Sequence, residues 1–175
     1  MQTHTDWVNA MTLCNMNQTV ITASSDRTIR AWSPHAEGEP AVPALIGYHT
    51  DYVRSLAFAR HPGILFSGAL DRDIAIWDIA SPRPNEPVLK VRLSDKDDGC
   101  VGLEGEWGSI YALGVDPMGH TLAAGTPERV VRLWDPRAGD NSVTKLVGHT
   151  ECVRSIVISD DGRYMLTGSS DTTVK

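Results

Sequence analysis

Apolar and polar residues alternate in short runs along this chain. Val8-Asn9-Ala10-Met11-Thr12-Leu13 and Val53-Arg54-Ser55-Leu56-Ala57-Phe58 roughly alternate. Thr28-Ile29-Arg30-Ala31-Trp32 and Val130-Val131-Arg132-Leu133-Trp134 put Ile, Leu or Trp on one face and Arg on the other. A period of two belongs to a half-buried strand, because successive side chains leave opposite faces of a sheet. Thr19-Val20-Ile21-Thr22-Ala23 and Ile64-Leu65-Phe66-Ser67 are short apolar runs of strand length. Turn sequences separate these runs: Asn15-Met16-Asn17, His61-Pro62-Gly63, Asp116-Pro117-Met118-Gly119 and Asp160-Asp161-Gly162. No useful length of chain carries the helical period, so an all-β chain is expected.

The strands recur as a repeat. One segment runs from His4-Thr5-Asp6-Trp7-Val8 to Asp26-Arg27-Thr28-Ile29-Arg30-Ala31-Trp32, and another from His49-Thr50-Asp51-Tyr52-Val53-Arg54 to Asp71-Arg72-Asp73-Ile74-Ala75-Ile76-Trp77-Asp78. A third runs from His149-Thr150-Glu151-Cys152-Val153-Arg154 to Asp171-Thr172-Thr173-Val174-Lys175. The separation from His to Asp is 22 residues in all three. A degenerate copy lies between the second and the last. It has Glu128 ahead of Trp134-Asp135, but Gly105-Glu106-Trp107-Gly108 where the His motif belongs. Three or four short strands per ~45 residues is the pattern of propeller blades. The repeats predict an incomplete β-propeller of about three four-stranded blades and most of a fourth, at approximately 4–47, 49–92, 105–147 and 149–175.

Composition narrows the function classes. The 175 residues can bury a sizeable core, and 41% hydrophobic with 22% charged residues is ordinary for a globular chain. Lys plus Arg is 16 against 22 Asp plus Glu, a formal charge of −6 without basic runs. Nucleic-acid binding needs clustered Lys and Arg, so no nucleic-acid partner is expected. No stretch approaches the roughly 18 apolar residues of a membrane span, and the polar N-terminus is no signal peptide. Cys14, Cys100 and Cys152 are far apart and without CxxC spacing, which argues against disulfides or zinc and for a reducing compartment. An intracellular protein of the cytoplasm and/or nucleus is expected, with no membrane insertion.

The Gly148-His149 dipeptide and the Trp77-Asp78 and Trp134-Asp135 dipeptides resemble the WD-repeat β-propeller family. The resemblance implies a buried hydrogen-bonded chain in each blade, made of the repeat His, a strand Ser or Thr, the turn Asp and the Trp. The matching sets are His4, Thr22, Asp26 and Trp32; His49, Ser67, Asp71 and Trp77; and His149, Thr167 and Asp171. The degenerate copy has Ala124 and Glu128 and no His, so apolar packing alone is expected there. The order of motifs is similar to that of the deubiquitinase activators, WD-repeat subunits that bind and stimulate ubiquitin-specific proteases. The markers are Ala23-Ser24-Ser25-Asp26, Leu70-Asp71-Arg72, then Ser109-Ile110-Tyr111 with Thr126-Pro127-Glu128-Arg129-Val130, and Trp134-Asp135-Pro136-Arg137. Members of that branch have a complete propeller and a ubiquitin-like C-terminal tail, so the chain reads as an N-terminal propeller fragment. The connection from Ala80 to Glu104 reads as a surface loop, with an outer strand near Val88-Leu89-Lys90-Val91. A tolerated insertion is favoured there over a partner contact.

Candidate chemistry has structural explanations. His4, His49 and His149 belong to different blades and cannot share a metal ion. Cys152 lies near His149, but that His is committed to the buried chain and nothing activates the thiol. Ser24-Ser25-Asp26 and Ser169-Ser170-Asp171 are turns without a companion base, and no GxSxG elbow or glycine-rich phosphate loop occurs. No catalytic residue, cofactor or metal is expected, and the chain reads as a non-enzyme. What remains is a rim carrying Asp6, Trp7, Asp51, Tyr52, Arg54, Trp107, Glu151 and Arg154. Exposed aromatics beside Arg compose interface hot spots. Two readings stay open: Trp7, Tyr52 and Trp107 face a partner, together with Arg54 and Arg154, or they pack under neighbouring loops. The resemblance implies that Arg154, where the family usually has Lys, contacts the fingers region of a ubiquitin-specific protease. A scaffold that stimulates such proteases is the leading expectation. The alternative is a generic WD-repeat platform in a chromatin, trafficking or ubiquitin-ligase assembly. An open propeller leaves two unpaired sides, which invite self-association. The isolated chain is therefore expected to be oligomeric or marginally stable, to be checked by light scattering and thermal unfolding. A monodisperse, cooperatively unfolding monomer would overturn this.

Overall fold

The computed structural model describes residues 3–14, 19–33, 43–61, 63–79, 86–92, 108–137 and 144–175. The turn at 15–17, Pro62, most of the 80–104 connection, Cys100 and Trp107 lie outside the described residues.

Among the described residues, fourteen strands form four antiparallel sheets. The first holds β1 (Val8–Cys14), β2 (Thr19–Ser24), β3 (Thr28–Trp32) and β4 (Ala44–Tyr48). The second holds β5 (Val53–Ala59), β6 (Ile64–Ala69), β7 (Asp73–Asp78) and β8 (Leu89–Arg92). The third holds β9 (Ala112–Val115), β10 (Leu122–Gly125), β11 (Val130–Trp134) and β12 (Thr144–Val147). The fourth pairs β13 (Val153–Ile158) with β14 (Met165–Ser169), and a bridge from Gly168 to Val174 starts a further strand. The first strands β1, β5, β9 and β13 are spatial neighbours in that order, so the sheets stack side by side around a common inner edge. The fold is an incomplete β-propeller.

Each core lies between two sheets, which explains both sequence patterns. Ile21, Ala23, Ile29, Leu65, Ala75 and Trp77 fill the space between the first and second sheets. Ala57, Phe66, Ile76, Leu113, Leu122 and Trp134 fill the space between the second and third. Strand β6 thus sends Leu65 to one core and Phe66 to the next, which is why its run is apolar at consecutive positions. Both side chains are fully buried, and each contributes about 2 kcal/mol by leaving water. A smaller cluster of Ala112, Ala123, Val131, Val153 and Ile156 joins the third and fourth sheets. Met11 and Leu13 on the first sheet and Val157 and Leu166 on the fourth stay exposed.

A tight turn follows the second strand of each sheet. In each, one non-glycine residue is left-handed: Arg27 at φ 70°, Arg72 at 73°, Arg129 at 69° and Thr172 at 67°. A left-handed L-residue costs about 1–2 kcal/mol, so something at these turns must hold it. The inner strands β1, β5 and β13 each open on a bulge, at Asn9, Arg54 and Arg154, where the register with the second strand shifts.

The outer strand β4 comes so close to the second sheet that a side chain cannot fit. A Cβ at Gly47 would run into the indole ring of Trp77. Gly47→Ala is expected to destabilise the fold by about 2 kcal/mol through overpacking. Urea unfolding followed by circular dichroism checks this.

Candidate functional site

In the second sheet, Trp77 Nε1–H donates to Ser67 Oγ at 2.8 Å, and Ser67 Oγ lies 2.8 Å from His49 Nε2. His49 Nδ1 lies 2.9 Å from Asp71 Oδ2. Donor counting assigns the directions. The indole can only donate and the carboxylate can only accept. Ser67 therefore donates to Nε2, and the imidazole donates from Nδ1. The chain Trp77→Ser67→His49→Asp71 runs one way with every member satisfied.

The first sheet repeats this arrangement. Trp32 Nε1–H donates to Thr22 Oγ1 at 2.7 Å, Thr22 Oγ1 meets His4 Nε2 at 2.7 Å, and His4 Nδ1 meets Asp26 Oδ2 at 2.8 Å. In the fourth sheet, Thr167 Oγ1 meets His149 Nε2 at 2.9 Å and His149 Nδ1 meets Asp171 Oδ2 at 2.8 Å. All eleven residues of the three sets thus stand within their own sheets, and each His is engaged through both ring nitrogens. Among the described residues no group of three or more His, Cys, Asp or Glu is placed to hold a metal ion.

The aspartates do more than orient imidazoles. Asp71 Oδ2 accepts the backbone N–H of Thr50 at 3.0 Å, and Oδ1 accepts that of Asp73 at 3.0 Å. One carboxylate thereby ties the loop before the inner strand to the turn after the second strand. The equivalent bonds reach Asp26 from Thr5 and Thr28, and Asp171 from Thr150 and Thr173. These bonds hold the left-handed residue of each turn in place. Burial pushes the Asp71 carboxyl up, but the hydrogen bond from His49 and those from the two backbone N–H groups outweigh it and hold the group at about 2. Burial also opposes ionisation at Asp26, and there the Thr28 hydroxyl and backbone, His4 and Thr5 win, placing it well below the ordinary carboxylate range. At Asp171 the Thr173 hydroxyl is the leading cause of a similar depression.

The third sheet departs from its neighbours and corrects one expectation. Apolar packing is not its sole support. Glu128, at the turn position of the aspartates, forms an ion pair with Arg132, whose side chain is 4% exposed. Thr126 is fully buried, its hydroxyl donating to the carbonyl of Val130 at 3.3 Å. An intrastrand pair between turn and strand β11 thus stands where the other sheets carry His and Asp.

The predicted rim residues divide. Trp7 is 80% exposed and Tyr52 43%, so both reach solvent rather than packing under loops. Asp6 and Asp51 accept the following backbone N–H groups, those of Trp7 and Tyr52, at 2.7 Å. Arg54 and Arg154 stand on their bulges and both reach the ring of Tyr111. Tyr111 and Asn9 escaped the sequence reading as site residues. The signal was present: Asn9, Arg54, Tyr111 and Arg154 each follow an apolar residue at the same place in the four repeats.

The family model described as WD domain, G-beta repeat matches residues 1–33, 44–78, 100–135 and 140–175. This chain belongs to the WD-repeat family. The matched stretches do not coincide with single sheets. The WD repeat at 44–78 contains β4 of the first sheet and β5–β7 of the second, and that at 140–175 contains β12 of the third sheet and β13–β14 of the fourth, so these two repeats fasten their sheets to the preceding ones. WD-repeat propellers are generally non-catalytic, and the repeats mark this chain as a protein-interaction scaffold.

The hydrogen-bonded chain yields a prediction with a pH signature. The folded Asp71 carboxyl lies below its unfolded value of about 3.9. Its stabilising contribution is therefore complete above pH ~4 and is lost as pH falls through about 2. Asp71→Asn, which presents an amide N–H₂ to the same donors, is expected to cost about 3 kcal/mol at neutral pH. The variant should also lose part of the decline in stability between pH 4 and 2. Urea unfolding across that range, wild type against variant, measures both effects.

Proposed function

We propose that this scaffold binds a ubiquitin-specific protease and raises its turnover, within the cytoplasm and/or nucleus. What carries the reading is the order of the repeats. Two standard repeats are followed by one without the His and Asp and then by a standard one. That sequence of motifs is similar to the deubiquitinase activators. The Glu128–Arg132 pair gives the odd repeat a polar contact of its own, which supports reading it as a distinct blade. The exposed Trp7 and Tyr52 and the exposed Arg154 supply contact groups of the type that anchor protein interfaces.

The chain would act without chemistry of its own. A scaffold activates an enzyme only by binding its active arrangement more tightly than its inactive one. The contact groups stand at the starts of inner strands pinned by the buried chains, so they present a pre-ordered surface. Preordering limits the entropy lost on docking.

Adding the protein to a purified ubiquitin-specific protease is expected to increase cleavage of a fluorogenic ubiquitin substrate. Arg154→Glu should weaken the half-maximal concentration about tenfold, because a reversed charge at a contact repels the partner group. No stimulation of any protease in such a panel would leave the generic platform as the reading.

A further inference from the structure

Four equivalent residues touch one another around one end of the inner edge. Asn9, Arg54 and Arg154 occupy the bulges of the first, second and fourth sheets, and Tyr111 precedes β9 in the third. A bulge turns its side chain out of the regular alternation, and here it turns three of them toward the same opening. The Arg54 guanidinium carbon lies 5.6 Å from the Tyr111 ring centroid, and that of Arg154 lies 4.8 Å from it. Arg54 Nη1 donates to Asn9 Oδ1 at 3.3 Å, and Arg154 Nε donates to Ser170 Oγ at 3.1 Å. Asn9 is held in turn, its Nδ2 donating to Ser25 Oγ and to the carbonyl of Val53, both at 2.9 Å.

Two guanidinium groups therefore share one aromatic ring. Like charges at this separation repel, and stacking on the ring offsets only part of that cost. Among the described residues no carboxylate pairs with either Arg. Asp51, the acidic residue nearest Arg54 in sequence, is turned to a backbone N–H group, as Asp6 is in the first sheet. Each guanidinium retains N–H donors, fixed in direction by stacking and by its polar anchor. Such a fork suits a planar carboxylate, which accepts two parallel hydrogen bonds.

We infer that Arg54, Tyr111 and Arg154 form a clamp for the carboxylates of an acidic segment on a protein partner. A nucleic-acid backbone fits less well. The chain carries a formal charge of −6, and Asp6, Asp51 and Glu151 stand three residues before Asn9, Arg54 and Arg154, a balance of charge that disfavours an extended polyanion. A peptide with a few side-chain carboxylates meets the cations without that penalty. The inference deepens the scaffold reading by naming the chemistry of the contacting segment. It holds whether or not the partner is a protease.

The test titrates the protein with hexaglutamate and follows the Nε–Hε signals of Arg54 and Arg154 by NMR. Saturable shifts of both signals are expected, with hexaglutamine giving none. Arg54→Gln and Arg154→Gln, each with circular dichroism matching wild type, should each weaken the binding about tenfold. Tyr111→Leu should weaken it as well, since the arginines lose their platform. Unsaturable or absent shifts, equal response to hexaglutamine, or undiminished binding in both Arg variants would overturn the clamp. Tighter binding of a single-stranded oligothymidylate than of hexaglutamate would overturn the assignment to a protein partner. Wild-type protein that stimulates the protease but does not bind hexaglutamate fails the clamp alone, and wild-type protein that binds hexaglutamate but stimulates no protease fails the protease reading alone.

Discussion

A buried carboxylate survives only where enough donors meet it, and in this molecule that condition fixes the shape of three sheets. Asp26, Asp71 and Asp171 each gather an imidazole N–H and two backbone N–H groups from two separate stretches of chain. Leaving such a group unpaired in a low-dielectric interior costs several kcal/mol. The donors must therefore arrive together, and the turn, the inner-strand loop and the imidazole lock as one unit. The left-handed Arg27, Arg72 and Thr172 next to the aspartates are tolerated because their turns are over-determined in this way.

The third sheet shows what happens when that device is replaced. Glu128 is one methylene longer than Asp and reaches Arg132 on β11. The sheet still forms, because its strands and cores are shared with neighbours on both sides. Its turn keeps the left-handed residue, Arg129. This ion pair links the turn to strand β11 of the same sheet. The sheet is thus held by the neighbours it packs between more than by its own polar chain.

Function follows from where this rigidity is placed. The buried chains lie in the bodies of the first, second and fourth sheets, whereas the bulges at Asn9, Arg54 and Arg154 sit where the inner strands begin. Side chains there are displayed from a backbone that has little freedom left. The repeats at 44–78 and 140–175 also straddle two sheets, each with its first strand on the preceding one. Neighbouring sheets are thereby kept at a set spacing, and residues from different repeats, such as Arg54, Tyr111 and Arg154, meet with constant geometry.

Most of the fold was legible in the residues because its rules are local or periodic. Alternation revealed strands such as β5, turn residues marked the hairpins, and the constant His-to-Asp spacing put the His49 and Asp71 pair and its two relatives on the page before any coordinates. Three features lay beyond that reach. The offset between repeat and sheet depends on which strand pairs with which, and alternation is blind to pairing. The Glu128–Arg132 pair arose where the pattern suggested only apolar packing, since a missing motif does not say what replaces it. The gathering of Arg54 and Arg154 on Tyr111 joins three sheets. The sequence by itself determined the strands, the turns and the buried polar chains, because each is specified within one repeat. Only the tertiary structure decided which surface residues meet, because that depends on how one sheet packs against the next.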